Sequence, residues 1–439
     1  MNGLVAKEIR ALLPLWLGCM ALLGVRALVT SRAVEPYLIL VVVGGACALG
    51  ALSLGHEYMA GTLASMLAQP VGRVRLLAVK TVVLAAMLAA LFALFAAVLP
   101  FGGDPKAGVV AVAALSGLCL APWFTILTRS PLAGAVFGIS ILGVIWVGLN
   151  LLLPPAAAAW AFWRIATVLG VAAVALTWRG FMRLEAIDGH GPHVQMAWNE
   201  ASAAPRVRRA AWAVVRKELG LQQIPFVLAA IYVVGSLRLF FPIGDDVGDV
   251  LGGLTVLYSG LLALMIGSIT SAEERQLGTL EWHQLLPMAS WKQWALKAGT
   301  AIVLALALAI AVPGLIVFAA LGPVGLSIWY VASVVVLTVV GMYASSLSSS
   351  SIRALLLSAA FPLVLLTIVA AGGARGVPRW HPTPFNIALL LAFVALLLWL
   401  AFDNHRGAER SAWRVGIQLL VLGGCLALEL VVGGLVVVG

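Results

Sequence analysis

Charge is the scarcest commodity in this sequence. Asp, Glu, Lys and Arg make up 10% of its 439 residues, against roughly 25% in an ordinary soluble domain. The chain is 63% hydrophobic with a mean hydropathy of +1.09. That shortage excludes a soluble globular fold, because no arrangement could hide so much apolar surface from water. Cysteine is scarce too. Cys19, Cys47, Cys119 and Cys425 all lie in apolar runs, where they behave as small hydrophobes and give neither a disulfide framework nor a metal set. No G-x-x-x-x-G-K-[ST] phosphate loop occurs, so ATP is not bound on this chain by that route. His56 and Glu57 begin a zinc-protease signature, but Ala60 stands where its second histidine belongs. His190 and His193 are too few for a metal site and read as a solvated loop. Asp245, Asp246 and Asp249 read as a polar loop, with calcium binding the sharper alternative.

What is abundant is apolar runs long enough to span a bilayer, about 20 residues each. Spans are predicted near 11–30, 36–55, 77–100, 107–127, 131–153 and 157–177. A second set falls near 219–241, 248–270, 298–321, 325–346, 353–372, 384–402 and 415–438. With the N-terminus in the cytoplasm, all but Arg26, Arg32, Lys106, Arg164, Arg238, Arg375 and Arg379 of the 27 basic residues fall inside. That bias fixes an orientation and explains the formal charge of +10 as topology rather than nucleic-acid binding. Lys7-Glu8 before the first span is echoed by Lys217-Glu218 before the seventh, so the first reads as an integral helix rather than a cleaved signal.

The expected fold is an all-α polytopic membrane protein of 12–13 helices. Residues 1–177 form a first half, 178–218 a polar linker and interface helix, 219–402 a second half, and 403–439 an extra C-terminal span. The linker's last part, Val207 to Glu218, spaces Trp212 and Val215 among arginines as a helix lying in the interface would.

One polar sentence is written twice. EYMAGTLASMLAQP at 57–70 and ERQLGTLEWHQLLP at 274–287 superpose when the chain is shifted from Glu57 to Glu274. Gly61, Thr62, Leu63, Pro70, Ala78 and Lys80 then fall on Gly278, Thr279, Leu280, Pro287, Ala295 and Lys297. Each copy lies between the second and third spans of its half, which makes the repeats parallel, related by an axis along the membrane normal. Physically, each copy reads as an amphipathic helix opened by an acid, carrying an apolar stripe, and stopped by proline. It serves either to anchor the fold or to dock a cytoplasmic partner.

The pattern E-x3-G-T-L-x6-P-x9-K, with Lys-Glu upstream of the first span, resembles permeases of the type 2, exporter-type ABC (ATP-binding cassette) superfamily. The resemblance covers most of the chain as architecture and about 25 residues per half as motif. It implies coupling helices at about 57–70 and 274–287 that enter a groove on an ATPase subunit. Glu57, Gly61, Thr62, Glu274, Gly278 and Thr279 would do the coupling, and Lys7, Glu8, Lys217 and Glu218 would mark interface helices. It further implies that the chain is no enzyme by itself and carries no cofactor. ATP and Mg would sit on two separate cytoplasmic ATPase subunits, a homodimer. The remaining partners would be membrane lipids and a lipophilic or amphipathic cargo (lipid, drug or peptide), with no nucleic acid. The setting would be a bacterial inner membrane. Two features depart from the family: the seventh span of the second half and the missing phosphate loop.

Other residues invite a role. Glu429, in the last apolar run, is either a functional intramembrane acid or a neutral carboxyl packed against a neighbour. Gly44, Gly45, Gly50 and Gly55 would let span two approach another helix, a contact between the halves being one reading. The serines from 345 to 351 read as a polar turn rather than a nucleophile. Two rival functions stay open. One is an ion-coupled carrier with parallel repeats. The other is a membrane-embedded enzyme or assembly factor, for which only Glu273, Glu274 and His283 cluster.

Overall fold

A computed structural model describes residues 2–25, 35–68, 70–98, 105–184, 207–236, 247–276, 289–322, 327–373, 384–406 and, discontinuously, 413–424. The chain divides into two compact units, Met1–Trp198 and Asn199–Gly439. All secondary structure among the described residues is helical. Nine of these helices are long and apolar enough to cross a membrane, and a bent pair makes a tenth. The chain is a polytopic α-helical membrane protein.

Unit 1 begins with α1 (Asn2–Val25), α2 (Glu35–Met59), the single turn α3 (Leu63–Leu67) and α4 (Arg73–Val98). Next come α5 (Pro105–Ala114) and α6 (Ala121–Thr128), joined through a π-helical turn, Leu115–Leu120, into one apolar length. The unit closes with α7 (Pro131–Leu152) and α8 (Pro155–Met182). Helix α2 is the core of the unit and packs on α1, α4, α5, α6 and α7. Its sequence explains why: apolar residues surround it, so no face is reserved for water. Local signals set the ends. Arg129 leaves α6 in the left-handed region (φ 54°), and the Ser130 hydroxyl then caps α7 by accepting from the Ala133 amide at 3.3 Å, with Pro131 at the first turn.

Unit 2 opens with α9 (Val207–Leu221) and α10 (Gln223–Ser236), which meet at 59°. Then follow α11 (Val247–Gln276), α12 (Ser290–Ala305), a second π-helical turn (Leu306–Ala311) and α13 (Val312–Leu321). Helices α14 (Ile328–Leu347), α15 (Ser351–Gly373) and α16 (Pro384–Arg406) complete it. Helix α11 takes the central place, packed on α14, α15 and α12. The described part of the last apolar run joins this unit. Leu422 packs with Val340, Tyr343, Phe393 and Leu397, and Gln418 accepts from the Tyr343 hydroxyl at 3.1 Å.

Backbone contact marks one crossing in each unit. A Cβ placed on Gly50 of α2 would lie 1.8 Å from the Gly117 carbonyl oxygen, and one on Gly267 of α11 would lie 2.2 Å from that of Thr338. Gly50 and Gly267 superpose under the same shift that carries Glu57 to Glu274. Three of the four glycines of span two make close contacts inside unit 1. Gly50 meets Gly117, Gly55 meets Pro131 and Gly45 meets Cys19, while Gly44 faces open space. The reason is steric: α5, α6 and α7 close on α2 more tightly than any side chain would allow.

Candidate functional site

The repeated sentence begins where α2 ends. The Gly61 amide donates to the Tyr58 carbonyl at 3.4 Å, and the Thr62 amide to the Glu57 carbonyl at 3.1 Å. Gly61 has φ +63°. This is a Schellman stop, with glycine at the left-handed position and a residue beyond it bonding back across the last turn. The spacing E-x3-G-T now has a cause. Glu57 lies where that backward bond lands, so Thr62 is folded over it, and the Thr62 hydroxyl donates to Glu57 Oε2. Thr62 also starts α3, its carbonyl accepting from the Met66 amide at 2.8 Å. The helical part of 57–70 is thus the last residues of α2 and the five of α3. An unbroken helix over 57–70 does not form, because the left-handed Gly61 stops α2 first.

Glu57 itself is not on the surface; it is 1% exposed. Lys7 of α1 reaches Glu57 Oε1 at 2.8 Å, and Lys80 of α4 reaches the same oxygen at 3.3 Å. Lys80 also holds Glu8 Oε1 at 2.7 Å and donates to the Ser53 carbonyl at 3.1 Å. Glu8 and Lys80 are each 3% exposed, whereas the Lys7 side chain is 38% exposed. Two acids and two lysines from three helices therefore form one buried chain of alternating charge. Such a cluster is tolerable in a low-dielectric interior only because every charge has an opposite neighbour.

Unit 2 gathers the equivalent residues, but its Glu218 Oε1 is buried without a hydrogen bond where Glu8 has one from Lys80. Lys217 of α9 pairs with Glu274 Oε1 and Lys297 of α12 with Glu274 Oε2. Glu218 Oε1 lies 3.7 Å from Lys217 and 4.0 Å from Lys297. Glu218, Glu274 and Lys297 are fully buried and the Lys217 side chain is the half-covered member, as Lys7 is in unit 1. One difference stands out: Glu273, a third acid, occupies the place that His56 takes in unit 1. Gly278, Thr279, His283 and the rest of the second copy lie outside the described residues, as do Glu429, His190, His193, Asp245 and Asp246.

The structure also adds polar networks that spacing alone did not announce. The serines at 345–351 are buried apart from Ser349. Ser345 Oγ accepts from the Ser271 and Ala272 amides, both at 2.8 Å, and Arg275 donates to the carbonyls of Ser346 and Asn404. Asn404 in turn bonds Gln418 in both directions, at 3.1 and 3.0 Å. Deeper in unit 2, the π-helical turn shifts the bonding register of the helix and its carbonyls take outside donors. Tyr258 donates to Leu308 O at 3.0 Å, and Ser259 and Tyr330 to Ala309 O at 2.7 and 3.1 Å. Among the described residues no group of His, Cys, Asp and Glu is placed to hold a metal ion. No family model, curated protein or solved structure matches the chain.

Proposed function

We propose that the chain is the transmembrane permease subunit of an ATP-driven ABC exporter, built as two parallel repeats of 12–13 spans in all. It sits in a bacterial inner membrane with its N-terminus in the cytoplasm. Two separate ATPase subunits carry Mg and ATP, dock at the segments 57–70 and 274–287, and drive a lipophilic or amphipathic cargo outward. One observation carries this reading. The same motif follows the second long span of each unit, and in each its acid is tied to a lysine of the next long helix and a lysine of the entry helix. The sequence resemblance supplies the name for such a duplicated cytoplasmic joint.

The test is co-purification with candidate ATPase subunits. Two ATPases per permease support the reading. Exposed Ser65 reports the contact, so Ser65→Arg should weaken capture without unfolding the chain. A permease that captures no ATPase refutes it. The ion-coupled carrier remains as a second reading because of the buried hydroxyls of Tyr258, Ser259 and Tyr330 on the π-helical turn. It predicts transport driven by an ion gradient with no ATPase present.

A further inference from the structure

Each cluster joins three helices that the chain could have left independent. In unit 1, α1 and α2 meet through Lys7 and Glu57, α2 and α4 through Glu57 and Lys80, and α1 and α4 through Glu8 and Lys80. Charge closes the triangle at this end, and farther along the same helices pack directly, with the Trp16 indole of α1 donating to the Met87 carbonyl of α4 at 2.9 Å. The docking segment enters it at one atom, the Thr62 hydroxyl on Glu57 Oε2. An acid with 1% exposure has no surface with which to meet a partner. What faces outward beside it is Ala60, Gly61, Ser65 and Ala68.

We infer that Glu57 and Glu274 are buried positioning residues rather than partner-contacting acids. Glu57 locks its docking segment to the entry helix and the following span, so that a push on the segment moves α1 with α4 as one body, and Glu274 ties α9 and α12 to the end of α11 in the same way. Glu8 and Lys80, and Glu218 and Lys297, then belong to the same device although neither pair touches a partner. The alternative mechanical outcome is a loop that bends under load and transmits nothing. A covalent backbone turn of one glycine is soft, whereas three helices cross-linked by hydrogen-bonded charges in a low-dielectric interior resist separation.

This inference rests on the exporter reading, and the experiment separates the two. The full permease is reconstituted with the ATPase that co-purifies with it, and two quantities are measured with Mg-ATP: the Kd for the ATPase and the permease-dependent stimulation of hydrolysis. The double variant Lys80→Met/Glu8→Gln removes one charge of each sign, so Lys7 and Glu57 stay paired and the interior stays balanced. The expected result is a Kd within about 3-fold of wild type, with stimulation lost by about 10-fold or more, because binding energy resides in surface residues. Glu57→Gln should give the same split, and Ser65→Trp the reverse, a weaker Kd. Lys7→Met, at a half-exposed position, cuts the α1–α2 link while Glu8 stays on Lys80, and should show a weaker form of the split even if a buried variant fails to fold. The inference is overturned if Glu57→Gln alone weakens Kd while the double variant matches wild type in both quantities. It is equally overturned if the double variant and Lys7→Met leave stimulation intact. Failure of wild type to capture any ATPase is a different result, and it removes the exporter reading itself.

Discussion

Replacing Lys80 by methionine removes one cation from a site that has no water to replace it. Lys80 is 3% exposed and is the cation at Glu8, which is equally buried. Glu57 keeps Lys7 at 2.8 Å, so the loss falls on Glu8. Breaking a buried pair by removing one partner costs about 3–5 kcal/mol, because the other charge is left without compensation. In a unit of this size each kcal/mol is worth about 2–4 °C, so the apparent Tm should fall by roughly 6–20 °C. Adding Glu8→Gln removes the stranded charge and should restore at least about half of the loss, a coupling well above the roughly 0.5 kcal/mol scatter of independent sites. The assay is thermal unfolding of the four proteins of the cycle in one detergent, followed by loss of the monodisperse peak. A Lys80→Met protein within about 1 kcal/mol of wild type would show that water reaches Glu8 and that the cluster is not a closed interior. A double variant no better than the sum of its parts would show that Glu8 and Lys80 do not depend on each other.

Gly50→Ala and Gly267→Ala should each destabilise by about 1–3 kcal/mol by forcing backbones apart. Gly44→Ala, which meets nothing, should be neutral or gain about 0.5–1 kcal/mol from helix propensity, all read by thermal unfolding. Gly61→Ala has room for its Cβ but must adopt φ +63°, so it should cost about 1–2 kcal/mol, and Gly61→Asn less, in the same assay. Ser345→Ala strips the outside acceptor from the Ser271 and Ala272 amides and should cost about 1–3 kcal/mol, with faster hydrogen exchange at those two amides. Gln418→Leu takes the acceptor from the Tyr343 hydroxyl and leaves Asn404 only Ser346 as a side-chain partner, and should loosen the last segment, visible as earlier proteolysis beyond Arg406.

The spans were legible because their physics is simple: long apolar runs with few charges admit one environment. The helices at 38–59, 73–98, 107–128 and 131–150 follow the expected runs closely. The doubled motif stands out in the sequence because Glu57, Gly61, Thr62, Pro70 and Lys80 are too distinctive to recur by shared apolar taste. Depth was not legible. In sequence Lys80 is a lysine that the second copy matches with Lys297, and only the packing of α1 against α4 shows that it is buried on Glu8. Glu57 reads as the first residue of a docking helix, whereas it is the end of α2 turned inward. The pairing of Glu8 with a lysine 72 residues away is a tertiary fact, and no local periodicity carries it. The serine run carried a polar signal with no direction; burial against Ser271, Ala272 and Arg275 supplied one.

The two copies of the motif agree at residues with duties inside the fold. The residues the copies share are those with internal duties: Glu57 in the ion cluster, Gly61 at the left-handed turn, Thr62 on the carboxylate, and Lys80 bridging two acids. Their counterparts Glu274, Gly278, Thr279 and Lys297 repeat the set, and Glu274 and Lys297 repeat the ion pair. The residues at the exposed positions of the first copy do not recur in the sequence of the second. Ala60, Ser65 and Ala68 are exposed and small, while the superposed residues are Leu277, Trp282 and Leu285. Selection on a shared joint and release on its outer face is what a fused chain would show if both joints work alike but meet different surfaces. Large apolar and aromatic anchors supply most of the energy at protein interfaces. Within the exporter reading, the second segment should therefore hold its ATPase more tightly than the first. Trp282→Ala should weaken capture by more than any single change at 60, 65 or 68, measured as Kd on the intact permease. Equal losses at Trp282 and Ser65 would mean that the outer residues are interchangeable and that the joint alone sets the affinity.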